Sequence, residues 1–233
     1  MAQFLAHPPP APPAPAPPLN PVSIIGPQYC APYPVDLAIV RKGMNITNGN
    51  FVVQDINNNG NILFKLKGFL MTLHNRRVLF NAAGIPLVTL RHKIISAHDR
   101  WQVFRGESTD LNDLIFTAKK SSMLQLKAKL DEFLANNTEE DVCDFKVKGS
   151  SSKESCVVYA GESDTIVAQM LDNLSTVPSL IGKDRFEVRV YTNIDHAFII
   201  TLIMILDAID PLPPGLGLMK KLATGIDLSN FVS

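Results

Sequence analysis

The chain has 233 residues, 46% hydrophobic and 19% charged, and its 22 basic side chains balance 22 acidic ones. That neutrality argues against a bulk nucleic-acid binder, which carries a strong basic excess, so no nucleic-acid partner is expected. With a proline-rich start set aside, about 200 residues remain, which suits one domain with a full core.

Residues 1–34 hold most of the proline, in the run Pro8-Pro9-Pro10-Ala11-Pro12-Pro13-Ala14-Pro15-Ala16-Pro17-Pro18. Such a tract samples extended polyproline II and builds no packed element, so residues 1–34 are expected to be a disordered tail. Pro9, Pro12 and Pro15 give a P-x-x-P spacing that an SH3 or WW module could read. Phe4, Leu5 and Ala6 offer no apolar stretch of signal-peptide length before the prolines begin. A cytoplasmic chain is therefore expected, peripheral to a membrane or nuclear, and not a secreted one. The three cysteines, Cys30, Cys143 and Cys156, cannot all pair with one another. Cys143 and Cys156 read as ordinary buried thiols, and Cys30 as a candidate for acylation. The N-x-S/T matches at Asn45, Asn136 and Asn173 then read as chance occurrences.

From Leu37 onward, short apolar or alternating runs are separated by turn residues. Phe51 to Asp55 and Ile62 to Leu66 flank Asn57-Asn58-Asn59-Gly60, a strong hairpin signal. Val78 to Phe80 and Pro86 to Leu90 flank Asn81-Ala82-Ala83-Gly84. Trp101 to Phe104 and Leu114 to Thr117 flank residues 106–113, and Val157 to Tyr159 and Thr165 to Ala168 flank Gly161 to Asp164. Asp144 to Lys148 and Phe186 to Tyr191 read as further strands. Met123 to Leu134 fits both periods: Leu124, Leu126, Ala128 and Leu130 alternate, and Leu126, Leu130, Phe133 and Leu134 suit a helix. The clean alternation and the neighbouring strands favour a strand. The sum is about twelve strands.

Ala197 to Leu206 is apolar on every side apart from Thr201, between Asp195 and Asp207. A strand rarely stays apolar for so long, and a helix hydrophobic all round must be enclosed. The run falls short of the roughly 20 apolar residues of a membrane span. The expected fold is mainly β: a closed antiparallel barrel over residues 35–210 around a central C-terminal helix at about 195–209. Ala197, Phe198, Ile199, Ile200, Leu202, Ile203, Ile205 and Leu206 would fill the interior, which side chains from a barrel of this size would not fill alone. Pro213-Pro214-Gly215 stops the helix, and residues 211–233 read as a frayed tail.

Several strings carry a family resemblance: Cys30-Ala31-Pro32-Tyr33-Pro34, Asn48 to Val53, His98-Asp99-Arg100-Trp101, Ser121 to Lys127, Cys156 to Glu162, and Asp195-x-Ala197-Phe198-Ile199. In combination they resemble the plant LURP-one-related proteins, from roughly Tyr29 to Asp210. That family is similar to the tubby C-terminal domain and to phospholipid scramblases. The resemblance implies a twelve-stranded barrel around a hydrophobic helix, a link to pathogen defence, and a membrane-tethered regulatory role.

Signatures of catalysis are missing: there is no G-x-S-x-G elbow, phosphate loop, C-x-x-C pair or H-E-x-x-H. His98 and Arg100 would face one side of a strand and Asp99 the other, so they do not converge. His74, His92 and His196 have no partner at a ligand spacing, and no metal or other cofactor is expected. A non-enzymatic chain is the expectation. Lys65-x-Lys67, Lys127-x-Lys129 and Lys146-x-Lys148 each set two lysines on one strand face. If the last two strands pair, Lys127, Lys129, Lys146 and Lys148 share one patch of outer wall, and Asp131, Asp144 or Glu187 could neutralise it. The functional reading of the patch is an anionic phospholipid headgroup. A soluble adaptor using the proline-rich tail and a scramblase-like transporter are the rival readings.

Overall fold

The computed structural model describes residues 20–41, 51–68, 76–93, 99–121, 129–149, 156–171 and 185–209. Its strands are β1 (Val35–Arg41), β2 (Phe51–Asp55), β3 (Ile62–Gly68), β4 (Arg77–Asn81), β5 (Pro86–Lys93), β6 (Arg100–Arg105), β7 (Leu114–Lys120), β8 (Lys129–Leu134), β9 (Phe145–Gly149), β10 (Cys156–Ala160), β11 (Ile166–Leu171) and β12 (Arg185–Val190), followed by the helix α1 (His196–Ile209). Each strand pairs antiparallel with the next, and β1 closes the ring on β12 with Val35 opposite Val190. The expected twelve-stranded barrel around a C-terminal helix is the fold that forms. Of the ambiguous stretch from Met123, the part from Lys129 to Leu134 is strand; residues 122–128 lie outside the described residues.

The hairpin turns show why the barrel closes here. Gly84 has φ +84° and Gly161 φ +57°, conformations open to glycine at no steric cost. A Cβ on Gly161 would also come within 3.4 Å of the Cys143 carbonyl oxygen. Register shifts at Val53/Gln54, Leu79/Phe80, Val103/Phe104 and Val158/Tyr159 fall beside four of these turns. Such bulges add the local twist that a closing sheet needs.

Alternate residues of the strands point inward and pack on α1, among them Leu37, Ile39, Phe64, Leu66, Val88, Leu90, Phe116, Ala118 and Val147. Every residue from Ala197 to Asp207 is buried. Phe198 meets Phe116 and Phe145 edge-on, with ring centroids 5.3 and 4.8 Å away. Burying each such side chain contributes roughly 1.5–3 kcal/mol, which explains a helix with no polar face. At ~1.5 Å per residue α1 is ~21 Å long, and among the described residues no helix is long and apolar enough to cross a membrane.

Both ends of α1 are tied. Asp195 is its N-cap: Oδ1 accepts the Phe198 N–H at 3.1 Å. From β4, Arg77 reaches inward to the Met204 carbonyl (3.3 Å) and to Asp207 (3.4 Å), a cation at the negative end of the helix.

The expected boundary of the disordered tail at residue 34 is corrected by the structure. Residues 22–31 form a strap across the end of the barrel where α1 begins. Val22 bridges Ile194 and Cys30 bridges Asp195. Asp195 Oδ2 accepts the N–H groups of Ile24, Ile25 and Gly26 at 3.0, 2.7 and 3.0 Å. Ile25 is buried in the core, and Tyr29 packs on Phe64 and His196 at 5.6 Å each. Proline density hid these few anchors, which have no period of their own. Residues 1–19, with the P-x-x-P spacing, and residues 210–233 lie outside the described residues.

Candidate functional site

Antiparallel pairing of β8 with β9 sets Lys129 directly opposite Lys148, and Asp131 opposite Lys146. Alternation puts these positions on the outer wall, because Leu130 and Val147 between them are fully buried in the core. The lysines differ in surroundings. Lys146 binds Glu162 from the β10–β11 turn and lies 4.0 Å from Asp131. The ammonium lowers the pKa of the exposed Glu162 through that hydrogen bond. Lys148 is exposed and carries no ion pair among the described residues; its ammonium sits 4.4 Å from the centre of the Tyr159 ring. The backbone of Lys129 is described and its side chain is not, and Lys127 lies outside the described residues.

The same outer row continues around the wall as Lys93, Arg100 and Lys119, each opposite the next, with Lys119 opposite Asp131. Like charges in register destabilise a sheet unless something neutralises them. The β8–β9 loop does so here: Glu140 grips Arg100 at 2.5 and 2.7 Å, and accepts from Lys119 and from the Thr117 hydroxyl, both at 3.2 Å. The Arg100 guanidinium holds the Glu140 carboxyl down to about 2. Two acidic loops therefore fold back on the middle of the basic wall. Lys148 at the end of β9 and Lys93 at the end of β5 are left exposed without an anion beside them among the described residues, at the end of the barrel remote from the strap.

Of the neutralising groups the sequence suggested, Asp131 is in place. Asp144 instead accepts from the Leu134 N–H (2.9 Å) and the Asn137 amide (2.8 Å). Glu187 binds Arg185 at 2.8 Å on β12. Glu162 and Glu140 were not legible, because both reach the lysines from loops of other hairpins.

The remaining candidates are dispersed. Cys30 is half-buried within the strap, its thiol donating to the Val22 carbonyl at 3.5 Å, and burial raises its pKa. Cys143 and Cys156 are buried free thiols, each pushed up to about 12 by that burial. His92 contacts Asp99 at 2.6 Å and stacks near Trp101, a pairing across β5 and β6 that sequence spacing concealed. His74 and His98 lie outside the described residues. Among the described residues no group of three or more His, Cys, Asp or Glu could hold a metal ion.

Inside the barrel one group stands apart. Glu132 is fully buried on the inward face of β8, between Ala118 of β7 and Phe145 of β9, and neither carboxyl oxygen has a hydrogen-bond partner. Burial raises its pKa well above the ordinary value, and Asp144 adds to the shift. Both effects favour the neutral acid over the carboxylate in the closed barrel.

Comparison with known proteins places this geometry in a lineage. The family model for LURP-one-related proteins matches residues 35–207. Protein LURP-one-related 15 of Arabidopsis thaliana is 58% identical over 187 residues, covering 80% of this chain and 85% of that protein. Protein LURP-one-related 10 of the same plant is 54% identical, covering 81% and 97%. An X-ray structure of an Arabidopsis thaliana protein superposes with a TM-score of 0.62 at 49% identity, covering 81% of this chain and 98% of that one. On the family match, the identities and the barrel together, the chain belongs to the LURP-one-related family.

Proposed function

We propose that this chain is a non-enzymatic, lipid-responsive regulator, a cytoplasmic domain tethered to a membrane through anionic phospholipid headgroups and acting in plant defence signalling. The observation that carries the reading is the Lys129–Lys148 pair. Their backbones stand directly opposite across β8 and β9, and the exposed Lys148 is left without an ion pair among the described residues. Like-charged residues at opposed positions of a sheet are relieved when an anion sits beside them. Near an acidic leaflet each lysine contributes ~1 kcal/mol, so a small set of them holds a soluble domain at the surface. The neighbouring Tyr159 adds an amphipathic ring suited to the headgroup region. Lys146 contributes less than Lys148, because Glu162 already occupies it.

The test is charge reversal at Lys127, Lys129, Lys146 and Lys148 in the full chain. Loss of sedimentation with phosphoinositide or phosphatidylserine vesicles supports the reading, and unchanged sedimentation sinks it.

The adaptor reading gains from the strap, which would connect a proline-bound SH3 or WW partner directly to the barrel mouth. Deleting the tail separates the two, since an adaptor loses its partners while lipid binding persists. A scramblase-like role is disfavoured by α1, whose apolar side chains are already enclosed by the barrel.

A further inference from the structure

The strap is held like a bound peptide. Three sets of contacts hold it at the barrel mouth, beside a bond from the Arg105 guanidinium to the Ile25 carbonyl at 3.5 Å. The Asp195 carboxylate, itself fully buried, takes three successive backbone N–H groups, from Ile24 to Gly26. Main-chain pairing fixes the direction on either side: Val22 N–H to the Asn193 carbonyl at 2.8 Å, Asp195 N–H to the Val22 carbonyl at 3.1 Å, and Asn193 N–H to the Ala31 carbonyl at 2.7 Å. Two apolar anchors complete the fit. Ile25 enters the core, and Tyr29 lies edge-on to Phe64 and His196. Main-chain bonds for affinity with pockets for spaced side chains are how extended peptides are recognised. Residues 20–34 contain no charged side chain, and no ion pair fastens the strap to the barrel among the described residues.

We propose that the barrel mouth is a peptide-recognition site, filled in the resting chain by its own residues 22–31 and open to a second polypeptide of the same chemistry once the strap lifts. The ligand class is an uncharged extended segment of the form apolar–apolar–Gly–Pro–x–aromatic, as in Ile24-Ile25-Gly26-Pro27-Gln28-Tyr29. Because Asp195 also caps α1, occupancy of the mouth is linked to the start of the core helix. This proposal stands apart from the lysine wall.

The test uses full-length protein and a fluorescein-labelled synthetic peptide of residues 20–34. In the parent, the tethered strap outcompetes the free peptide. Tyr29→Ala or Ile25→Ser in the chain weakens the strap and leaves the mouth intact, so peptide binding rises at least tenfold, by fluorescence anisotropy. A peptide carrying both changes does not bind, and Asp195→Asn in the weakened chain lowers binding again. The proposal is overturned if the weakened chains, with β-strand amides still protected from hydrogen exchange, bind no more peptide than the parent. Should both substitutions unfold the barrel, the parent decides alone. Its Ile24, Ile25 and Gly26 amides exchange through an opening that leaves Val103 and Val188 protected. Exchange of all five only by global unfolding means that the strap does not lift, and ends the proposal.

Discussion

Asp195 Oδ2 lies 2.7 Å from the Ile25 nitrogen, across 170 residues of sequence, and that bond joins the strap to the start of α1. One fully buried carboxylate serves four N–H donors, three in the strap and one in the first turn of α1. Removing it leaves those donors without their acceptor, since no water replaces it cheaply in a closed mouth. Asp195→Ala is expected to cost roughly 2–4 kcal/mol, a cap of ~1 plus charge-assisted bonds. Equilibrium denaturant unfolding measures it, and a loss below ~1 kcal/mol would mean that the strap is not coupled to the helix.

Glu132 gives an unusual pH dependence. Its pKa is raised in the barrel, so between the ordinary value and the raised one the unfolded state binds fewer protons. This residue's contribution is therefore full below the unfolded value near 4.5 and is lost as pH rises toward the raised folded value. Glu132→Gln removes that slope. Glu132→Leu removes the unpartnered carboxyl as well, and should stabilise the protein at pH 7.5 by about 1–3 kcal/mol. Denaturant midpoints of the parent and both variants between pH 5 and 8 would expose a flat parent profile, which contradicts the assignment.

Glu140 behaves in the opposite sense. Its folded value, about 2, lies below the ordinary 4.5, so its contribution is present above 4.5 and lost as pH falls through 2. The carboxyl is partly exposed and screened, which limits the effect to about 1 kcal/mol. Glu140→Gln should remove it and flatten acid unfolding below pH 4.5. It also releases Lys119 from that carboxylate, so the variant should bind anionic surfaces more tightly than the parent.

Much of the fold could be read from the sequence, because the strongest physical signals are local. Asn59-Gly60 and Gly84 mark turns, and the run from Ala197 to Leu206 has no face to offer water. The alternation through Leu130 even indicates that Glu132 faces inward. What escaped reading depends on register between segments far apart. Lys148 opposite Lys129 needed only the β8–β9 pairing, whereas Glu162 on Lys146, Glu140 on Arg100 and His92 on Asp99 needed loop conformations as well. The strap hid because its anchors, Ile25 and Tyr29, are isolated among prolines, and their meaning lies in Asp195 at the far end of the chain.

The most direct test of the lipid-responsive reading is co-sedimentation of the unmodified full-length chain with phosphoinositide, phosphatidylserine and neutral vesicles across a salt series. The account predicts binding to the anionic vesicles only, fading as salt screens the lysine wall. Equal binding to neutral vesicles, or no binding to any vesicle at low salt, would contradict it.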